Sequence, residues 1–225
     1  AHPIKFLPGF VEHPLSKIPD TNRTYKIKSS KQLKTNVFSR STGQITSSAD
    51  RPRALALDTS GKGFHPTVVL SSLFLESFDG KASPPPKCSV SAKIESETWS
   101  QDEPMQQFPN MVDTKDAYTS SETLLKKREI DLVWERNASK QSTSTSPQSA
   151  ETFMSKVEIP LQNFTSDKKM FLPTFYSCLV ARSYQLQLTI TVASVVLKLV
   201  LPIQFTVEDQ QAVMHPAEMD LALPD

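Results

Sequence analysis

Glycine is scarce in this chain, with five among 225 residues. No Gly-rich phosphate loop, nucleophile elbow or Cys/His signature occurs, so the usual motif-borne routes to phosphoryl, acyl or metal chemistry are absent. Cysteine is scarcer still. Cys88 and Cys178 are the only two, too few for the disulfide framework of a small secreted domain. They read either as two small buried hydrophobes or as one bridge. No run approaches the ~20 apolar residues that a membrane-spanning helix needs. The sequence opens on Ala1, so we expect a processed chain or one cut from something larger, and no signal-peptide pattern stands at its start. An excess of one charge is missing too. The formal net charge is +1, whereas phosphate binding shows as a marked basic surplus, so nucleic acid is not an expected main partner.

What the chain does have is proline, at seventeen residues, and segments that alternate apolar with polar. The clearest begins at Tyr184, where Leu186, Leu188, Ile190 and Val192 alternate with Gln185, Gln187, Thr189 and Thr191. Slipping its register by one residue would expose every apolar side chain and bury the polar ones, so pattern alone fixes the core face. Each buried Leu, Ile or Val is worth roughly 1.5–3 kcal/mol of transfer free energy. Val195 to Val207 keeps the same period, which makes an antiparallel hairpin. Ala193-Ser194 between them lacks the Asn-Gly or Gly-Gly of two-residue turns, so a longer connection is expected.

Other strands follow the same logic. Thr24 to Lys28 places Tyr25 and Ile27 on one side. Pro66 to Glu76 is a continuous apolar and β-branched run, the pattern of a strand buried in a sandwich core. Cys88, Val90, Ala92 and Ile94 alternate with polar residues, and Ile130, Leu132 and Trp134 alternate with Asp131, Val133 and Glu135, although the preceding "SSETLLKKREI" also fits a helical turn. Phe153 to Leu161 reads as a strand ended or edged by Pro160. The pieces between are turn-rich: 78–88 with its proline run, an acidic-leaning 97–122, and a Ser/Thr-rich 137–151. The expected organisation is an N-terminal segment at 1–50, a β-sandwich domain at 51–208 and a tail at 209–225.

Candidates for chemistry are few. His2, His13, His65 and His215 each precede a proline and have no partner at metal-ligand spacing. Glu95, Glu97, Asp102 and Glu103 could supply paired carboxylates, but a solvated face explains them as well. No cofactor is expected. Arg182 shares the parity of Tyr184 and Leu186. Its guanidinium therefore points inward and needs a carboxylate or several carbonyls, unless the strand starts at Ser183 and Arg182 sits at the rim. Ser146, followed by Pro147, is a candidate phosphorylation site within its loop. Asn-x-Ser/Thr triplets at Asn22, Asn137 and Asn163 would accept glycans in a secretory compartment.

One stretch carries a resemblance. Leu172, Pro173, Thr174, Phe175, Ser177, Cys178, Val180, Ala181, Arg182, Tyr184 and Leu186 match a signature similar to that closing the arrestin-like domain of fungal arrestin-related proteins. The likeness reaches across about residues 50–207, and only 172–186 is specific. What it implies is an all-β fold: an antiparallel two-sheet β-sandwich, immunoglobulin-like, without an active site. It also implies an adaptor that binds cytoplasmic segments of membrane proteins and links them to endocytosis. Relatives often recruit a HECT-type ubiquitin ligase through Pro-Pro-x-Tyr or Leu-Pro-x-Tyr. Here Pro84-Pro85-Pro86-Lys87 has no tyrosine, and Leu223-Pro224-Asp225 ends one residue short, so recruitment requires a truncated motif continuing after Asp225. The competing expectation, carried by the three triplets, is a secreted β-sandwich module of the lectin or adhesin kind.

Overall fold

The computed structural model describes residues 25–34, 40–57, 67–78, 82–104, 117–136, 151–161, 171–177 and 179–207. Among them strands dominate and no α-helix occurs. In chain order they are β1 (Lys28–Lys34), β2 (Ser41–Ala49), β3 (Leu55–Leu57), β4 (Thr67–Ser77), β5 (Lys87–Ser100) and β6 (Ala117–Asp131). There follow β7 (Glu135–Arg136), β8 (Glu151–Leu161), β9 (Phe175–Tyr176), β10 (Val180–Val192), β11 (Val195–Ile203) and β12 (Phe205–Val207). One five-stranded sheet has the order β1-β2-β4-β8-β7, and a second runs β11-β10-β5-β6 with β9 on β10. Both are antiparallel. The remaining pair, β12 with β3, is parallel, an exception to the purely antiparallel expectation that follows from the chain leaving β11 at Gln204.

Alternation builds the core. Leu186, Leu188, Ile190 and Val192 of β10 are fully buried, and so are their register partners Leu201, Leu199 and Leu197 on β11. Val90, Ala92 and Ile94 of β5 lie beside them, and Ile45, Leu73, Val157 and Ile159 of the other sheet belong to the same cluster. The two sheets also meet at a seam. Lys26 N–H donates to Val200 C=O at 2.8 Å and Val200 N–H to Lys26 C=O at 2.9 Å, tying the residues before β1 to β11.

Several expectations need correcting. The strand read at Thr24–Lys28 starts only at Lys28 and continues to Lys34. β4 is buried on one face alone: Val68 and Leu70 are about half exposed, because β4 pairs within an open sheet whose outer face is wet. "SSETLLKKREI" is strand throughout, and the connection read at 97–122 shortens because β5 reaches Ser100 and β6 starts at Ala117. The β10–β11 turn has two residues after all. Ala193 takes φ 52°, the left-handed value that a tight hairpin demands and that glycine usually supplies. Pro160 does not end β8; it lies beyond the two residues paired with β7, where a missing N–H costs little.

β1 and β2 lie ahead of the boundary read at residue 50, yet β2 is paired with β4 from Gly43↔Ser77 to Ala49↔Ser71. Gly43 permits that approach, since a Cβ there would stand 2.5 Å from the Glu76 carbonyl oxygen. Residues 1–24 and the 208–225 tail lie outside the described residues.

Candidate functional site

The residues of the 172–186 signature gather at one end of the second sheet. β10 is already extended at Val180, so Arg182 keeps the parity of Tyr184 and the rim alternative falls away. Its guanidinium is half-buried and ends on hydroxyls. Nε donates to Tyr184 Oη at 2.7 Å, one terminal nitrogen to Thr98 Oγ1 at 2.8 Å and the other to Ser96 Oγ at 3.2 Å. The guanidinium also lies 5.2 Å from the Tyr184 ring centre, a cation–π contact. These partners are hydroxyls, in place of the carboxylate or carbonyls that the sequence reading asked for.

Tyr184 passes the chain on. Its O–H donates to Leu172 C=O at 2.7 Å, so Arg182, Tyr184 and Leu172 form one directed relay. Burial pushes the Tyr184 phenol upward; the adjacent Arg182 charge and the Leu172 bond oppose this only in part. The phenol therefore keeps its proton and can donate. Beyond Leu172, Thr174 N–H donates to Phe205 C=O at 2.9 Å and Thr174 Oγ1 accepts from Phe205 N–H at 3.0 Å. Phe205 stacks on Phe171 at 5.1 Å and meets Tyr184 edge-on at 4.5 Å. Phe175 stands opposite Arg182 in the β9–β10 register. The result is a strap, residues 171–177, laced to β10 on one side and β12 on the other.

A cavity of about 30 Å³ lies beneath it, lined by Ile94, Ser96, Ser120, Glu122, Phe171 and Arg182 among others. That is room for one or two waters and not for a substrate.

Among the other candidates, Glu95 and Glu97 lie on the opposite face of the second sheet. Glu95 accepts amide N–H bonds from Gln185 at 3.0 Å and Gln187 at 2.6 Å. Glu97 has its pKa raised, first by burial and then by the Glu95 charge. Asp102 and Glu103 are exposed. Among the described residues no group of three or more His, Cys, Asp or Glu could hold a metal, and no helix is long and apolar enough to cross a membrane. Cys88 is a buried free thiol, pushed up to about 11 by desolvation. Cys178, Ser146, the four histidines and the three Asn-x-Ser/Thr asparagines lie outside the described residues.

The sequence brought forward Leu172, Pro173, Phe175, Arg182 and Tyr184, and the structure brings them together. It missed Ser96, Thr98 and Phe205. Ser96 and Thr98 sit in the same alternating run as Cys88 to Ile94, so extending that run would have placed them on the inner face. Nothing local marks Phe205 as the strap's anchor, because its partner Thr174 is thirty-one residues away. Comparison with known protein families and with curated protein sequences finds no match. The arrestin-like resemblance therefore rests on the 172–186 sequence signature.

Proposed function

We propose that this chain is a non-catalytic adaptor module of the arrestin type. In this reading its two sheets are the layers of an immunoglobulin-like sandwich, and it binds cytoplasmic segments of membrane proteins destined for endocytosis. The observation that carries the reading is the relay Arg182–Tyr184–Leu172. The signature residues spend their polar groups on one another and on neighbouring hydroxyls, as residues of a structural closure do. Among the described signature residues none is left in the arrangement of a nucleophile with its base. Docking in such a module falls to sheet edges and loops, where an extended segment can add as a further strand. Ligase recruitment belongs to the proposal only if a tyrosine motif continues after Asp225, and phosphorylation of Ser146 would tune docking by adding charge.

The test is direct binding of the purified chain to an array of peptides covering cytoplasmic tails and extracellular loops of plasma-membrane proteins, run beside a glycan array. Selective retention on cytoplasmic tails is the expected result. Binding confined to glycans or extracellular loops would overturn it in favour of the secreted module.

A further inference from the structure

The charge of +1 hides an uneven distribution. Residues 25–34 and 40–57, which hold β1, β2 and β3, carry seven Lys and Arg against Asp50 alone. Lys26, Lys28, Lys31 and Lys34 are exposed along the β1 edge. Across the seam, Lys198 is exposed on β11 two residues from Val200, the residue that Lys26 pairs with. Between Lys26 and Lys28, Ile27 is 42% exposed. The seam thus exposes five lysines, with Ile27 exposed between two of them in sequence.

We propose that this seam is a contact surface for an anionic lipid membrane. Three features favour lipid over an acidic protein segment. First, the Lys26–Val200 bonds close the backbone ladder at the Lys26 end of the edge, where Lys198 joins it, so no strand can add at that point. Second, the cations at the seam are lysines. Lysine is a point charge on a flexible stem, suited to a fluid array of phosphates; planar bidentate recognition of a fixed carboxylate favours arginine. Third, a polybasic cluster with an apolar residue in its midst is the composition that attracts a negatively charged leaflet and inserts shallowly into it. Lysine on an edge strand also discourages sheet-to-sheet pairing, and β1 and β11 both end their sheets, but that role gives no reason for Ile27 to be exposed beside them. The inference goes beyond the adaptor reading and does not depend on it.

The experiment is co-sedimentation of the full chain with vesicles of phosphatidylcholine alone and of phosphatidylcholine mixed equally with phosphatidylserine, at low and at physiological salt. Binding to the mixed vesicles alone, weakened by salt, is expected. The triple variant Lys28→Glu, Lys31→Glu, Lys34→Glu should lose about a hundredfold in partitioning, at roughly fivefold per lysine. A control triple on β6, Lys126→Glu, Lys127→Glu, Arg128→Glu, makes the same change in total charge and should bind nearly as the parent does. Circular dichroism of both variants checks that the sheets persist, and Lys→Gln versions replace any triple that misfolds. Absence of binding to the mixed vesicles overturns the proposal. So does equal loss in both triples, or retention by polyglutamate or single-stranded RNA where vesicles fail.

Discussion

At the scale of single residues, the strap offers the sharpest test. Tyr184→Phe removes one hydroxyl and strands two partners, the Leu172 carbonyl and the Arg182 Nε–H. It should cost about 1–3 kcal/mol in urea unfolding. Arg182→Gln should cost a similar amount, and the double variant less than the two losses added, since both act on one relay. Additive losses would mean that the relay is two independent contacts. Ser155 points the other way. Its hydroxyl is buried with no hydrogen-bond partner among the described residues, so Ser155→Ala should raise the unfolding midpoint, by about 1 kcal/mol in stability. Glu97 supplies a pH signature. Its folded pKa is raised, so the unfolded chain ionises first as pH climbs, and a penalty on folding is fully present above the folded value. Glu97→Gln should therefore be modestly stabilising at pH 7, within ~0.5 kcal/mol for a half-buried site that solvent still screens, and indistinguishable from the parent near pH 3. The opposite order of effects would place Glu97 in a favourable ion pair.

At the scale of elements, the β10–β11 hairpin combines the most legible pattern with one strained joint. Ala193 sits at φ 52° without needing its methyl there, and a left-handed L-residue costs roughly 1–2 kcal/mol. Ala193→Gly should recover part of that, raising thermal stability by up to ~1 kcal/mol after glycine's own entropy cost. A lower melting temperature would show that the turn is not strained. How far each strand could be read from sequence depends on what faces inward. β10 and β11 declared themselves because their inward residues are Leu, Ile and Val. β1 and β2 did not, because the buried side is mostly small, Ser29, Gly43, Ser47 and Ala49, with Ile45 the one large apolar residue among them. Such positions pack by being small, which hydrophobic periodicity does not register. β6 hid for another reason. Its register slips opposite Ser91 and again before Lys93, so Leu124 and Leu125 are both buried and the alternation breaks mid-strand. Of the site, Arg182 and Tyr184 were legible through parity; the hydroxyls of Ser96 and Thr98 that receive Arg182 belong to a strand more than eighty residues away.

At the scale of the whole molecule, the question is where the folding unit starts. The reach of the sequence likeness, about residues 50–207, placed a boundary at residue 50. Hydrogen bonding runs straight across that point. β2 lies along β4, β1 along β2, and Lys26 reaches the second sheet at Val200. Removing residues 1–50 would strip β4 of seven register partners and uncover Leu73 and Leu75, both fully buried in the intact chain. It would also delete Ile45 and Ala49 from the shared core cluster. Losing one buried Ile costs several kcal/mol, and a whole domain holds only about 5–15 kcal/mol. A chain of residues 51–225 should therefore show no cooperative unfolding, bind a hydrophobic dye and expose its Cys88 thiol to alkylation, whereas the full chain keeps that thiol protected until it unfolds. A truncated chain that melts cooperatively near the parent's midpoint, with Cys88 still protected, would mean that β1 and β2 are an appendage of the sheet. Because β1 carries three of the five seam lysines and Lys26 lies two residues before it, the same truncation would remove most of the basic edge together with part of the core.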